Sequence, residues 1–258
     1  MNRLKRNSIE IVKKINDILM KIYDYKNISD EQDINYIRIR RSLYGYREGK
    51  KILYYNDGER FEGDFKNNIR EGKGIMYYNN GDKYEGDWKN DISEGMGIMY
   101  FNNGEIYEGN WKNDKFDGKG IYYYNDGDRY EGDFKKDKFD GKGIYYCNNG
   151  DRYEGDWKND KKEGKGMMFY IDGDRYEGDW KNGIFDGKGI MYFNDGDRYE
   201  GDWKNCIFEG KGIMHYNNGD RYEGDWKNEK EKEYIIIKMV SNKWDIILII
   251  NLLENMHY

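Results

Sequence analysis

The fold of this chain follows from one stretch of 23 residues and its repetition. Residues 118–140 read GKGIYYYNDGDRYEGDFKKDKFD, and residues 141–163 repeat most of it as GKGIYYCNNGDRYEGDWKNDKKE. The string Tyr-Glu-Gly-Asp-Trp, or a close variant, recurs with the same 23-residue spacing. Its copies begin at Phe61, Tyr84, Tyr107, Tyr130, Tyr153, Tyr176, Tyr199 and Tyr222. A fixed period of this length is typical of repeat architectures, so the chain is predicted to be an array of about eight similar units.

Each unit is predicted to be a β-hairpin. Residues 118–124 form the first strand and residues 129–135 the second, and Asn-Asp-Gly between them tolerates the positive φ of a tight turn. In the second strand of the next unit, Tyr153, Gly155 and Trp157 alternate with Glu154, Asp156 and Lys158. This alternation predicts one buried and one solvated face. The strand glycines are predicted to leave room for an aromatic ring on bare backbone. Two strands per unit predict an all-β, elongated, twisted antiparallel sheet roughly 80 Å long.

Composition supports this interpretation and excludes others. The 258 residues include 33 Gly, 27 Tyr and no Pro, Ala or Thr, and 17% are aromatic. A mean hydropathy of −1.17 resembles that of disordered chains, but their aromatic content is much lower. The two cysteines, Cys147 and Cys206, occupy different places in the repeat, which argues against a disulfide framework. With no signal-peptide core and no apolar run long enough to span a membrane, the chain is predicted to be cytoplasmic.

The pattern G-x-G-x-x-x-Y-x-x-G-D-x-Y-E-G-x-W at a 23-residue period resembles the MORN family, whose name stands for membrane occupation and recognition nexus. The resemblance covers seven complete repeats from Phe61 to Arg221, with partial units at both ends. It implies an elongated array of hairpins. It also implies the family's roles: scaffolding, dimerisation, binding to cytoskeletal or motor proteins, and association with anionic phospholipids. Asp-Gly or Glu-Gly at Asp117, Glu163 and Asp186 departs from the family's usual His-Gly and makes the array more acidic.

The chain is predicted to have three segments: a helical N-terminal segment (1–43), the array (44–228) and a tail (229–258). Residues 8–26 place apolar side chains at helical spacing. They are Ile11, Val12, Ile15, Ile18, Leu19 and Ile22. One interpretation is a helix that covers the open edge of the array, and the other is a helix that binds a partner or a membrane surface. The tail breaks the pattern and is interpreted as degenerate or frameshifted, or as an apolar capping segment.

Charge is distributed unevenly between these segments. Residues 1–47 contain 11 basic and 6 acidic residues, whereas residues 48–228 contain 29 and 39. An acidic array should be repelled by an anionic membrane and by nucleic acid, so no nucleic-acid partner is predicted. Any contact with anionic phospholipid is predicted to come from the basic N-terminal residues. The candidates are Arg3, Lys5, Arg6, Lys13 and Lys14.

The first strand of each hairpin is apolar on both faces. Met76 and Tyr78 share the face of the glycines and are predicted to be core, whereas Ile75 and Tyr77 point the other way. The resulting ladder is Ile75, Tyr77, Ile98, Tyr100, Ile121, Tyr123, Ile144, Tyr146, Ile190 and Tyr192. A patch this long is larger than monomers usually expose. Either Phe116, Phe139, Phe185 and Phe208 fold over it from connecting loops, or a partner helix or second copy lies along it.

Catalytic and metal sites are not predicted. The chain has two His residues, and His215 occupies a tyrosine position of the repeat. No Ser or Cys has the context of a nucleophile, and carboxylates repeated in nearly every unit are typical of a solvated strand face. The Asp-Gly-Asp turns lack the spacing of an EF-hand loop. The sequence therefore predicts a non-enzymatic scaffold without a cofactor, at the cytoskeleton or the plasma membrane, with a peripheral phospholipid binder as the alternative.

Overall fold

The computed structural model describes residues 49–227 in full and the backbone of the strands at 230–231, 234–240 and 243–249. The predicted helix at 8–26 and the phospholipid candidates Arg3, Lys5, Arg6, Lys13 and Lys14 lie outside the described residues. In the described part all regular structure is β, in one 19-stranded sheet. Nowhere in this part is there a helix long and apolar enough to cross a membrane.

The strands follow one another along the chain. They are β1 (Gly49–Tyr54), β2 (Arg60–Lys66), β3 (Ile69–Tyr77), β4 (Lys83–Lys89), β5 (Ile92–Tyr100), β6 (Ile106–Lys112), β7 (Lys115–Tyr123), β8 (Arg129–Lys135), β9 (Lys138–Tyr146), β10 (Arg152–Lys158), β11 (Lys161–Phe169), β12 (Arg175–Lys181), β13 (Ile184–Tyr192), β14 (Arg198–Lys204), β15 (Ile207–His215), β16 (Arg221–Lys227), β17 (Lys230–Glu231), β18 (Tyr234–Val240) and β19 (Lys243–Ile249). From β1 to β16, each strand pairs antiparallel with the next one in sequence. This confirms the predicted elongated array of consecutive hairpins.

Two kinds of turn alternate along the edges of the sheet. Within a unit, a loop closes when Tyr124 N–H donates to Asp128 O at 3.0 Å, and Gly127 there has a φ of 96°. Between units, a two-residue turn places Lys136 and Asp137 at φ values of 52° and 67°, as in a type I′ turn. The Asp137 carboxylate accepts the backbone N–H of Phe116 at 2.9 Å, which joins each turn to the previous one.

The two-residue turns are extended by a bulge that sequence analysis does not predict. Gly132 pairs with Gly143, and Phe134 pairs with Phe139, so two extra residues lie on β9 between the pairs. The Asp133 carboxylate accepts the Lys142 N–H at 2.9 Å and so satisfies a donor that the bulge frees. β7 carries the same bulge opposite β6, so this strand begins at Lys115, three residues before the predicted start, and ends at Tyr123.

The core lies on one face, which we call the aromatic face. The repeated Tyr and Trp positions are buried there, and Tyr130 is 0% exposed. The Tyr130 ring lies over the paired glycines Gly132 and Gly143. Its closeness is shown by Gly143, where an added Cβ would be only 2.3 Å from the Tyr130 hydroxyl oxygen. Trp157 Nε1 donates to the carbonyl of Gly143 at 3.2 Å. The predicted packing of rings on bare strand backbone is therefore confirmed.

Candidate functional site

The face opposite the core, which we call the charged face, consists of three parallel rows of side chains. The first row alternates Lys and Asp, the second Ile and Glu, and the third Tyr and Arg. Directly opposed residues of neighbouring strands produce this order: Lys142 faces Asp156, Ile144 faces Glu154, and Tyr146 faces Arg152. Because the units repeat, each row continues along the sheet with a spacing of roughly 10 Å per unit.

The Lys and Asp row is held by ion pairs across strand pairs. Its five pairs have Nζ–Oδ1 distances of 2.5 to 2.8 Å: Lys73–Asp87, Lys119–Asp133, Lys142–Asp156, Lys165–Asp179 and Lys188–Asp202. The hydrogen bond from Lys188 lowers the pKa of the Asp202 carboxyl below its usual value. These lysine side chains are 70 to 80% exposed, so the pairs are solvated and each contributes little to stability.

The predicted partner-binding ladder forms the apolar half of the other two rows. Ile75, Tyr77, Ile98, Tyr100, Ile121, Ile144, Tyr146, Ile190 and Tyr192 are half-buried, and Tyr123 is 36% exposed. The structure therefore brings all ten residues onto one face. It also shows that the ladder is not a continuous apolar stripe, because Glu and Arg of the second strands lie between its members.

Arginines cover the tyrosine rings of the ladder. The Arg129 guanidinium carbon lies 4.2 Å from the centre of the Tyr146 ring, and Arg175 lies at the same distance from Tyr192. Arg129 also pairs with Glu131 at 3.7 Å along the same strand. Such contacts screen the ring from water and hold the cation in place. The sequence analysis did not predict these cations. An Arg six residues after a Tyr of the ladder, as from Tyr123 to Arg129, is nevertheless visible in the repeat.

The prediction that phenylalanines cover the ladder is wrong. Phe116, Phe139, Phe185 and Phe208 lie within strands and on the aromatic face. There they stack on Tyr107, Tyr130, Tyr176 and Tyr199 with ring centres 3.6 to 3.8 Å apart. The error lies in where the strands begin. The prediction assigned these phenylalanines to connecting loops, but the strands begin before them, and alternation back from the Gly-x-Gly motif places Phe139 on the same face as Gly141 and Gly143.

A groove runs along the charged face. Its longer part, the C-terminal groove, has a volume of about 1670 Å³ and is lined from Met96 to Asp225. Its shorter part, the N-terminal groove, has a volume of about 1050 Å³ and is lined from Lys50 to Glu108. Met96 and Glu108 line both parts, so the groove is continuous along the array. Lys, Gly, Ile and Glu recur along its length in the same order in most units.

Burial perturbs several titratable groups on the aromatic face. It raises to about 12 the pKa of three partly buried tyrosines at the within-unit loops, which we call the loop tyrosines: Tyr78, Tyr124 and Tyr170. Lys162 takes the place that phenylalanine has in the neighbouring unit, and burial lowers its pKa. Its Nζ lies 4.8 Å from the Tyr153 ring centre. Burial also raises the pKa of the Cys147 thiol.

In residues 49–227 no three His, Cys, Asp or Glu side chains are placed to hold a metal ion. The loop carboxylates are engaged with neighbouring loops instead: Asp128 Oδ1 accepts the Asn148 N–H at 2.8 Å. His215 lies in the tyrosine row opposite Arg198 and Arg221, and burial lowers its pKa.

Comparisons with solved structures find weak similarities to two protein domains. The TCP domain of SAS-4 from Drosophila melanogaster, in complex with a proline-rich motif of Ana2, is 16% identical, with a TM-score of 0.41, and the match covers 69% of this chain and 90% of that chain. The TCP10 domain of CPAP from Danio rerio, in complex with a peptide of STIL, is 10% identical, with a TM-score of 0.47 and coverage of 78% and 93%. At these values neither similarity indicates what this chain binds.

The sequence comparisons identify the family. Among curated proteins, none matches this chain significantly. The model of the MORN repeat matches seven consecutive times: residues 61–83, 84–106, 107–129, 130–152, 153–175, 176–198 and 199–221. These boundaries are those of the seven complete repeats that the sequence predicts, and each matched repeat contains the second strand of one hairpin and the first strand of the next. The chain therefore belongs to the MORN repeat family.

Proposed function

We propose that this chain is a non-enzymatic scaffold that binds a protein partner, or a second copy of itself, along the charged face. The observation that carries the proposal is the continuous groove, which presents Ile and Tyr side chains between paired charges in unit after unit. Surfaces rich in Tyr and Arg are typical of protein interfaces. The aromatic face offers less surface for a partner to bind, because its Tyr and Trp rings are already buried against one another.

The repeat of the groove suits an elongated partner. Each unit offers an apolar Ile beside a Glu whose carboxylate remains about half exposed, as for Glu131 and Glu223. An extended or helical segment could therefore make the same pair of contacts roughly every 10 Å along the array. Many weak equivalent contacts of this kind favour a scaffold role over recognition of a small molecule.

The chemistry of the face supports the absence of catalysis. A catalytic carboxylate is normally set apart from its neighbours by a perturbed pKa in a cleft. Here the Asp residues of the first row repeat in identical surroundings, and each is paired with Lys. We therefore propose that these carboxylates organise the surface and perform no reaction.

Photo-crosslinking in cells tests the scaffold proposal. Benzoylphenylalanine replaces Tyr146 or Tyr192 on the charged face, and Ile171 serves as the control because it is 71% exposed at a loop on the edge of the sheet. The expected result is an adduct of the same mass from both face positions and none from Ile171. No adduct from either face position, or equal adducts from all three, would contradict the proposal.

Peripheral binding to anionic phospholipid is the second candidate. Residues 1–47 have 11 basic and 6 acidic residues, and each Lys or Arg near an anionic surface contributes about 1 kcal/mol. We therefore propose that a membrane contact, at the plasma membrane or a cytoskeletal structure beneath it, would involve this segment and not the acidic array. Co-sedimentation with anionic and neutral vesicles, using the full chain and a chain that begins at Tyr44, tests this. Salt-sensitive binding that the shorter chain loses is expected, and equal binding by both chains would refute it.

A further inference from the structure

The pattern of the charged face is interrupted at one place. In the unit of β5 and β6, Met96 stands where other units have Lys, and Asn110 stands where they have Asp. The ion pair of the first row is therefore missing there. In the third row, Ile106 takes the place of the Arg that lies between two tyrosines in later units. Three charged side chains are thus replaced by two apolar ones and an amide within one unit.

The interruption makes one part of the groove apolar. Met96 is 51% exposed, and the half-buried Ile98 follows it on the same face of β5. Ile106, also half-buried, lies opposite Tyr100 further along this strand. At the other end of the N-terminal groove, Ile52 is 56% exposed and Tyr54 is 68% exposed. These values exceed those of the equivalent residues in later units, because among the described strands β1 pairs only with β2 and lacks a neighbour on its other side. Of these exposed apolar residues, Ile52 and Met96 line the N-terminal groove, one near each end.

We propose that the occupant of the N-terminal groove is the chain's own segment 8–26, bound through its apolar stripe. As a helix, its 19 residues would be about 28 Å long. The groove crosses six strands, from β1 to β6, which corresponds to about 24 Å. The stripe of Ile and Leu side chains in this segment matches the apolar character that Ile52, Met96 and Ile98 give the groove.

Connectivity favours this segment over a second copy. Residues 27–48 lead directly to β1 at the mouth of the groove. A random coil of 22 residues would have an end-to-end distance of about 26 Å, which would span the groove and imply an effective concentration of the order of millimolar. A separate copy at micromolar concentration would be at a large disadvantage.

The bound segment covers part of the face that the scaffold uses. A partner that needs the N-terminal groove must displace residues 8–26, and anything that captures the basic N-terminus opens the groove. This regulatory consequence rests on the proposed function, but occupancy of the groove does not, and it can be measured in the purified chain without a partner.

Intramolecular photo-crosslinking tests the occupancy. Benzoylphenylalanine replaces Ile98 in the full chain, and Ile213, at the same position of the repeat in the C-terminal groove, is the matched control. A mixture of ¹⁴N- and ¹⁵N-labelled chains distinguishes contacts within a chain from contacts between chains. We expect position 98 to crosslink to residues 8–26 of the same chain, at a yield at least tenfold above that of position 213. No crosslink to this segment, equal yields, or adducts of mixed isotope composition would overturn the proposal, and the last result would indicate a second copy.

A second variant restores the repeating pattern without endangering the fold. Met96→Lys with Asn110→Asp installs the ion pair that five other units already contain. The expected result is a loss of at least tenfold in the yield of the crosslink from position 98, with an unchanged far-UV circular dichroism spectrum. An unchanged yield would overturn the assignment of residues 8–26 to this apolar groove. Both of these measurements use the purified chain without a partner. Failure of the partner-crosslinking experiment in cells would therefore not change their interpretation.

Discussion

Replacement of Gly143 by Ala tests the account of the core most directly. In the structure a Cβ on this glycine would meet three atoms of one side chain, the Tyr130 ring, at 2.3 to 2.5 Å. Ordinary contacts of a Cβ begin near 3.4 Å, so the ring must move by about 1 Å. It is fully buried, stacks on Phe139 at 3.6 Å, and donates its hydroxyl to Asp133 O at 3.0 Å.

The expected cost follows from these contacts. Overpacking of a core costs about 1–3 kcal/mol, a displaced aromatic pair about 0.5–1.5 kcal/mol, and a strained hydrogen bond about 1 kcal/mol. We therefore expect Gly143→Ala to lower the free energy of unfolding by about 2.5–5.5 kcal/mol. Gly132→Ala should cost more, because its Cβ would meet backbone atoms of the paired strand at 2.5 Å, and backbone cannot rotate away.

Urea unfolding, followed by circular dichroism and tryptophan fluorescence, measures the loss. Hydrogen exchange then shows whether protection decreases first in the hairpin that contains Gly143. The control is Gly219→Ala, where no atom lies within 4 Å of the new Cβ and only the φ of 89° opposes it. A double-mutant cycle with Tyr130→Leu should recover part of the cost by removing the ring atoms in conflict. A Gly143→Ala chain within 0.5 kcal/mol of the control would refute the reasoning.

Three further changes test other features. Cys206→Asp should raise the free energy of unfolding by about 1 kcal/mol, because a carboxylate there can accept the Phe185 N–H as Asp137 accepts that of Phe116. Thermal unfolding measures this gain in stability, and Cys206→Ser, the control, should give no comparable gain. Lys162→Phe should stabilise by about 1 kcal/mol through stacking on Tyr153, with the exposed Lys161→Phe as a neutral control in the same assay. The loop tyrosines are neutral in the fold up to a pKa of about 12, against about 10 when unfolded, so the stability they contribute is complete below pH 10 and is lost as the pH rises through 12. Tyrosinate absorbance and circular dichroism should then change together, and ionisation near pH 10 without loss of structure would contradict this.

Much of the fold could be predicted because the signal is repeated. The period of 23 residues, the alternation in the second strand and the Asn-Asp-Gly turn each predict the same hairpin, and together they place Tyr130 over Gly143. The seven repeat boundaries were predicted for the same reason. A single hairpin with these residues would have given a much weaker indication.

The structural features that the sequence analysis did not predict are the bulge and the contacts between neighbouring strands. The bulge has no distinctive sequence signal, so the strand was predicted to begin at the Gly-x-Gly motif, and Phe139, which lies in β9 ahead of that motif, was assigned to a connecting loop. The cover of the ladder was missed for another reason. Arg129 belongs to a different strand from Tyr146, so their contact depends on how neighbouring strands are aligned, which alternation within one strand does not specify.

The strands of this sheet lie across its long axis, so the hydrogen bonds between them point along that axis. A force that pulls on the two ends of the array would therefore load these hydrogen bonds one pair at a time, in an unzipping geometry, and not all together in shear. Each released unit would exchange about 10 Å of folded length for nearly 80 Å of extended chain, a gain of about 70 Å. The array would thus lengthen in equal steps under tension and shorten again, one hairpin at a time, when the load is removed.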